Sequence, residues 1–197
     1  MKKISTIVAA LLAVGSASAF ANSYSDIDVW GPTGKSITSV TPYSDVFNIV
    51  TANALDVGVI VPTPAEFVGK PTGPYTDVGG FNKLKEQVVD ADVTFWLKGA
   101  NTTSRSYTIK LDSTVFQAGS FGKFKFAADG LTATLITTLN SSGQLGYTVL
   151  ADPGSTFQLR GALLNATTVP IPDGGSSLAL LGMGVVGLMG MARRKTV

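Results

Sequence analysis

The chain has 197 residues, 15 basic against 13 acidic side chains, and a mean hydropathy of +0.30. It contains neither Cys nor His, which excludes a disulfide framework, a thiol nucleophile, a Ser-His-Asp triad and any metal centre built on imidazole or thiolate. The positive excess sits at the two ends: residues 22–169 hold ten basic and twelve acidic side chains, without the clustered basic face that nucleic acid requires.

Residues 1–21 read as a secretion signal. Lys2 and Lys3 make a positive start, residues 4–14 an apolar run, and residues 15–19 a stretch of small side chains before a cleavage point. The run is too short to span a bilayer and has the flanks of a signal peptide. Cleavage by signal peptidase fits after Ala19 or after Ala21.

Residues 22–168 read as one β domain, long enough to bury a core without covalent staples. Residues 26–30, 37–40 and 46–51 look like strands, and 57–61 is a short apolar run. Residues 62–80 hold four prolines and four glycines and read as a long surface connection. Residues 81–86 fit a helical turn or the approach to a strand. Val93, Phe95 and Leu97 then alternate with Thr94, Trp96 and Lys98, and Tyr107, Ile109 and Leu111 with Thr108 and Lys110. Leu131, Ala133, Leu135, Thr137 and Leu139 alternate with Thr132, Thr134, Ile136 and Thr138; Leu145, Tyr147, Val149, Phe157 and Leu159 follow. Period two with β-branched and aromatic enrichment is the pattern of half-buried strands. Turn chemistry separates them, at Gly99-Ala100-Asn101, Ala118-Gly119-Ser120, Asp129-Gly130, Asn140-Ser141-Ser142-Gly143 and Asp152-Pro153-Gly154. The expectation is an all-β chain, a single antiparallel β-sandwich of jelly-roll or Ig-like type.

Residues 169–197 form a three-part tail. Val169, Pro170, Ile171, Pro172, Asp173, Gly174 and Gly175 open it, with prolines and glycines that forbid a helix or a central strand. Residues 178–192 carry no charge, and Arg193, Arg194 and Lys195 follow as a basic stop. As a helix the apolar run would be about 23 Å long, short against a hydrocarbon core of about 30 Å. The basic cluster would hold its end on the cytoplasmic side. The tail resembles the PEP-CTERM class of bacterial sorting signals, and within it the VPDSG type: the matching residues are Pro172-Asp173, the Gly/Ser run, Leu178 to Gly182, and Arg193-Arg194-Lys195. Ile171 and Gly174 depart from that pattern. The resemblance implies recognition by an exosortase-type membrane transpeptidase, transient insertion in the inner membrane, and delivery to the cell surface or extracellular matrix. The segment from Phe81 to Leu111 is similar to sandwich modules often found before such tails.

Candidate chemistry within the domain is sparse. Gly31-Pro32-Thr33-Gly34-Lys35-Ser36 has two residues where a phosphate-binding loop needs four, and Pro32 deletes an amide donor; it reads as a turn between strands. Asp90 and Asp92 share a strand face, as do Asp26 and Asp28. The first pair are weak candidates for Ca²⁺, the only cofactor the sequence suggests, although no EF-hand loop is present; solvated strand-face carboxylates are the simpler reading of both pairs. Paired carboxylates can hydrolyse glycosides without His. Trp30, Trp96, Tyr43 and Tyr75 can stack on sugars, but core packing is the more economical assignment. The function expected is that of an exported, non-enzymatic surface or matrix component, associated with biofilm or exopolysaccharide. A carbohydrate-binding module is the alternative, with extracellular polysaccharide as partner, and a carboxylate-based secreted hydrolase comes third.

Overall fold

A computed structural model describes residues 21–30, 33–50, 60–61, 75–100 and 103–171. Among these, eleven strands and one helix follow in order: β1 Asn22–Val29, β2 Lys35–Thr38, β3 Tyr43–Asn48, β4 Ile60–Val61, β5 Tyr75–Thr76, β6 Glu86–Lys98, β7 Arg105–Leu111, β8 Thr114–Phe121, β9 Phe124–Gly130, α1 Ala133–Ser142, β10 Gln144–Ala151 and β11 Thr156–Pro170. One antiparallel sheet runs β1-β11-β6-β9, with β2 continuing the β1 edge of β11. The other runs β3-β10-β7-β8. Most connections after β6 cross between the sheets, the two-residue β7–β8 hairpin excepted. Its turn residues Asp112 and Ser113 both have positive φ, 44° and 71°, as a tight hairpin turn that follows the strand twist demands. The architecture is the antiparallel β-sandwich expected from the alternation.

The core lies between the sheets. Val93, Phe95 and Leu97 of β6 face Phe47, Leu145, Tyr147 and Val149 of the opposite sheet, all at or near full burial. Phe47 and Tyr147 lie 4.5 Å apart between ring centroids, and Phe95 meets Tyr147 edge-on at 5.3 Å. Such contacts are what the odd-numbered apolar face of β6 exists to make.

The even-numbered face of β6 is also buried at Thr94 and Trp96. Trp96, fully buried, joins Ile27 and Leu163 in a second cluster on the outer side of the first sheet, with Val29 and Phe126 packed against it. Its indole lies across Gly161, where a Cβ would come within 2.7 Å of Trp96 Cε3. Trp96 is therefore a packing residue, as expected, and not a sugar platform. Trp30 is also engaged in packing, edge-on to Tyr43 at 5.0 Å. Tyr75 lies in β5.

Three sequence readings are corrected. Ala118-Gly119-Ser120, expected as a turn, lies within β8, and Val169 and Pro170, expected to be barred from a central strand, complete β11. The segment expected as a strand over 131–139 is the helix α1, followed by Gly143 in the left-handed region at φ 72°. Leu135 and Leu139 form its buried stripe, and a spacing of four satisfies both a helical face and strict alternation. Two contacts favour the helix. Asn140 clamps the backbone of β6, its Oδ1 accepting Val88 N–H at 2.6 Å and its Nδ2 donating to Val88 O at 3.0 Å. Gly143 N–H then closes on Leu139 O at 2.7 Å, which ends the helix with the left-handed glycine such ends favour.

Candidate functional site

The end of β11 that leads into the tail is held on both sides. Val169 pairs with Gln87 and Pro170 with Glu86, and Ile171 N–H donates to Lys85 O at 2.7 Å. Proline is tolerated because it occupies the last rung, where a missing donor breaks no interior ladder. On the other side of β11, Asn22 of β1 pairs with Thr168. The start of the sandwich and the start of the tail thus lie side by side.

Glu86 ties this junction together. Its carboxylate accepts from Asn22 Nδ2 at 3.1 Å, Tyr24 Oη at 2.7 Å and Thr168 Oγ1 at 3.0 Å. Thr168 is fully buried. Burial, then the hydrogen bond and charge of Glu86, push the Tyr24 phenol up to about 12. One carboxylate therefore joins the first residues of β1, the first of β6 and the last of β11. No sequence motif marks Glu86; the only cue is its place at the start of the longest alternating run after the loop.

Ala21 is exposed and immediately precedes β1. Of the tail residues singled out, Val169 and Pro170 belong to β11 and Ile171 is 42% exposed. Ala19, Pro172, Asp173, Gly174, Gly175, Arg193, Arg194 and Lys195 lie outside the described residues. Asp92 accepts from Asn165 Nδ2 at 3.2 Å. Burial raises its pKa, the Asn165 bond opposes this, and Asp90 adds to it. Among the described residues no third acidic ligand joins Asp90 and Asp92 in a metal-holding group.

Asp26 and Asp28 do share a face, but it is the inner one, not a solvated one. They sit opposite Leu164 and Ala162 of β11, both core residues. Each reaches the other sheet: Asp26 accepts Asn48 N–H at 2.5 Å, and Asp28 accepts the Tyr147 hydroxyl at 3.1 Å. Burial drives the Asp26 carboxyl up to about 7; the Asn48 amide pulls it down, and Asp28, Asp77 and Asp45 push it up again. Burial and Asp28 likewise hold the Tyr147 phenol above the ordinary range. These acids act as polar stitches between the sheets.

A separate cleft opens where β6 ends and β9 and β11 begin. Its volume is about 300 Å³, and Ser36, Lys98, Gly99, Lys123, Thr156 and Gln158 line it; among the described residues no acidic side chain does. Ser36, read from the sequence as part of a turn, lies in β2 and contributes its hydroxyl to this cleft.

Comparison with known proteins bears on the tail. The VPDSG-CTERM motif family matches residues 170–195. The tail is a VPDSG-CTERM sorting signal. No curated protein matches the chain. Among solved structures, the dimeric latent PorU of Porphyromonas gingivalis is 8% identical with a TM-score of 0.41, covering 79% of this chain. The chain spans only 14% of that protein's length. Tobacco streak virus coat protein is 9% identical in one crystal form, with a TM-score of 0.34 over 77% of this chain and 90% of its own. In its dimer structure the values are 11%, 0.32, 77% and 88%. Likenesses this distant carry no argument about activity.

The VPDSG-CTERM signal marks an exported protein handled by an exosortase-type system and destined for the surface or the extracellular space. Its first matched residue, Pro170, is also the last residue of β11. The signal therefore leaves the sandwich directly from a central strand, with no linker between folded domain and motif. Among the described residues no helix is long and apolar enough to cross a membrane.

Proposed function

We propose that the chain is a non-catalytic surface or extracellular-matrix component, and that its sandwich is the cargo of its own sorting signal. Signal peptidase cuts after Ala19 or Ala21. Residues 178–192 then hold the protein in the inner membrane, with Arg193, Arg194 and Lys195 on the cytoplasmic side. An exosortase-type transpeptidase acts on the segment around Pro172 and Asp173 and releases the sandwich to the surface or matrix.

The observation that supports this most directly is the junction itself. Glu86 and the Lys85 carbonyl secure the strand up to Ile171, so the segment offered to a processing enzyme begins one residue later. Signal and domain meet at Pro170, which belongs to both. The absence of His and Cys supports the non-catalytic part, because proton transfer would fall to carboxylates, Lys or Tyr.

Intact-mass measurement of the surface form tests the reading. The expected species starts at Phe20 or Asn22 and lacks residues 178–197, and Pro172→Ala or Asp173→Ala accumulates as membrane-bound precursor. A full-length chain as the main surface form refutes it. Truncation after Ile171 keeps β11 whole and releases folded protein to the periplasm or medium. Polysaccharide hydrolysis by that protein, abolished by one Asp→Asn change, would establish the hydrolase instead.

A further inference from the structure

We propose that the turn from Asn82 to Lys85 is a membrane-docking element: Leu84, flanked by Lys83 and Lys85, seats one end of the sandwich on an anionic lipid surface while the chain is held by its tail. This rests on the membrane-held reading for why a bilayer is within reach; the contact itself rests on the turn.

Both apolar ends of the chain leave the sandwich here. Asn22, which follows the signal segment, pairs with Thr168 near the end of β11. Ile171 N–H donates to Lys85 O at 2.7 Å, so the turn is one hydrogen bond from the strand that becomes the tail. Six residues, 172–177, separate Ile171 from the apolar run. Fully extended, they span at most about 25 Å. A bilayer that receives residues 178–192 therefore has the turn close to its headgroup layer.

The turn holds its apolar side chain outward. Lys85 and Glu86 N–H both donate to Asn82 O at 2.9 Å, and Leu84 N–H donates to Asn82 Oδ1 at 3.0 Å. Lys83 Nζ donates to Ser141 O at 2.9 Å, which ties the turn to the last residues of α1. On this fixed backbone Leu84 is 83% exposed. Ile171, 42% exposed, adds a second apolar side chain at the same end.

The flanking charges select the surface. A carbonyl accepts from Lys83 without neutralising it, so Lys83 and Lys85 place two ammonium groups on either side of Leu84. Glu86, the adjacent acid, is committed to Asn22, Tyr24 and Thr168. Asp90 lies beyond the bulge in β6, opposite Thr167. Lysine stems lie along apolar surface while their heads reach phosphate oxygens, and apolar residues among basic ones enter the headgroup layer of anionic lipid. One leucine and two lysines bind weakly alone; the tether raises the effective concentration of lipid at the turn. Val40 supplies the contrast. It is 84% exposed, but it stands between Ser39 and Thr41, just after β2, whose Thr38 pairs with Thr156 at the start of β11. It therefore sits at the opposite end of the sandwich, with no charged neighbour in sequence.

The test reconstitutes the full chain into vesicles of phosphatidylcholine alone and of an equal mixture with phosphatidylglycerol, and follows hydrogen–deuterium exchange by mass spectrometry. The amides of Leu84 to Glu86 should exchange more slowly on the mixed vesicles, by about threefold or more. Those of Ser39 to Thr41 should exchange equally on both. Leu84→Ser should abolish the difference, as should Lys83→Gln combined with Lys85→Gln. Leu84→Ser, at an exposed position, should keep the thermal midpoint unchanged in micelles, which guards against a folding defect in the lysine variant. Equal exchange of the turn on the two vesicles overturns the proposal, as does a difference that survives both variants or extends equally to Ser39–Thr41. A turn protected on neither vesicle, whose Leu84→Ser variant is nonetheless processed slowly in cells, would assign the turn to the transpeptidase instead. Sorting is read separately by the mass of the exported form, so either reading can fail without the other.

Discussion

Replacing Asp26 by Asn should remove most of a pH dependence of stability that the wild-type sandwich carries. Asp26 is 5% exposed on the inner face of β1. Its carboxyl titrates near 7 in the folded chain against 3.8 for the ordinary group, chiefly through burial, and further through Asp28, Asp77 and Asp45. Because the folded value is raised, the folded state holds a proton that the unfolded chain releases. The group's contribution is most favourable below the unfolded value and is lost as pH rises through the folded one. Between pH 4.5 and pH 8 the titration spans roughly 2.5 units, and at 1.36 kcal/mol per unit this gives about 3 kcal/mol of lost stability. With a urea slope of about 2 kcal/mol/M, typical of a domain this size, the wild-type midpoint should fall by about 1.5 M over that range. Asn keeps an oxygen for the Asn48 N–H and cannot ionise, so the variant's midpoint should stay nearly level and overtake the wild type at pH 8. Urea unfolding followed by the fluorescence of Trp30 and Trp96 measures both. Parallel pH profiles for the two proteins would refute the assignment of the effect to Asp26.

Three further outcomes follow from local geometry. Glu86→Ala strips the acceptor from three side-chain donors, one of them the fully buried Thr168. It should cost about 1–3 kcal/mol and speed amide hydrogen exchange at Ile171 and the end of β11, whereas a change confined to the global midpoint would argue against a clasp on the tail. Gly161→Val places carbon where Trp96 already lies, at 2.7 Å for the Cβ alone; overpacking should lower stability by roughly 1–3 kcal/mol, with a shifted tryptophan emission. Ser113→Gly relieves a left-handed residue at φ 71° and should raise stability by up to about 1 kcal/mol, a gain of about 2–4 °C in thermal midpoint.

Much of this protein is legible in one dimension. Alternation along residues 93–97, 107–111 and 145–149 yields the strands and identifies which residues share a face, because the side-chain period of a strand is local geometry. The tail is read as a linear string of residue types, and the VPDSG-CTERM match falls on it for that reason. Alternation does not say which face becomes covered. Asp26 and Asp28 share a face as read, yet pairing with β11 turns that face inward, where carboxylates become inter-sheet stitches with Asn48 and Tyr147. Trp96 lies on the face opposite the main core and is nonetheless fully buried, because Gly161 of the neighbouring strand leaves space for its ring. The segment 131–139 satisfies two periods at once, and contacts from β6 and the Gly143 terminus decide for the helix. The junction at Glu86 and the cleft at Lys98 were out of reach for the same reason. Residues 22, 86 and 168 in the first, and 36, 98, 123 and 158 in the second, are far apart along the chain, and only strand pairing makes them neighbours.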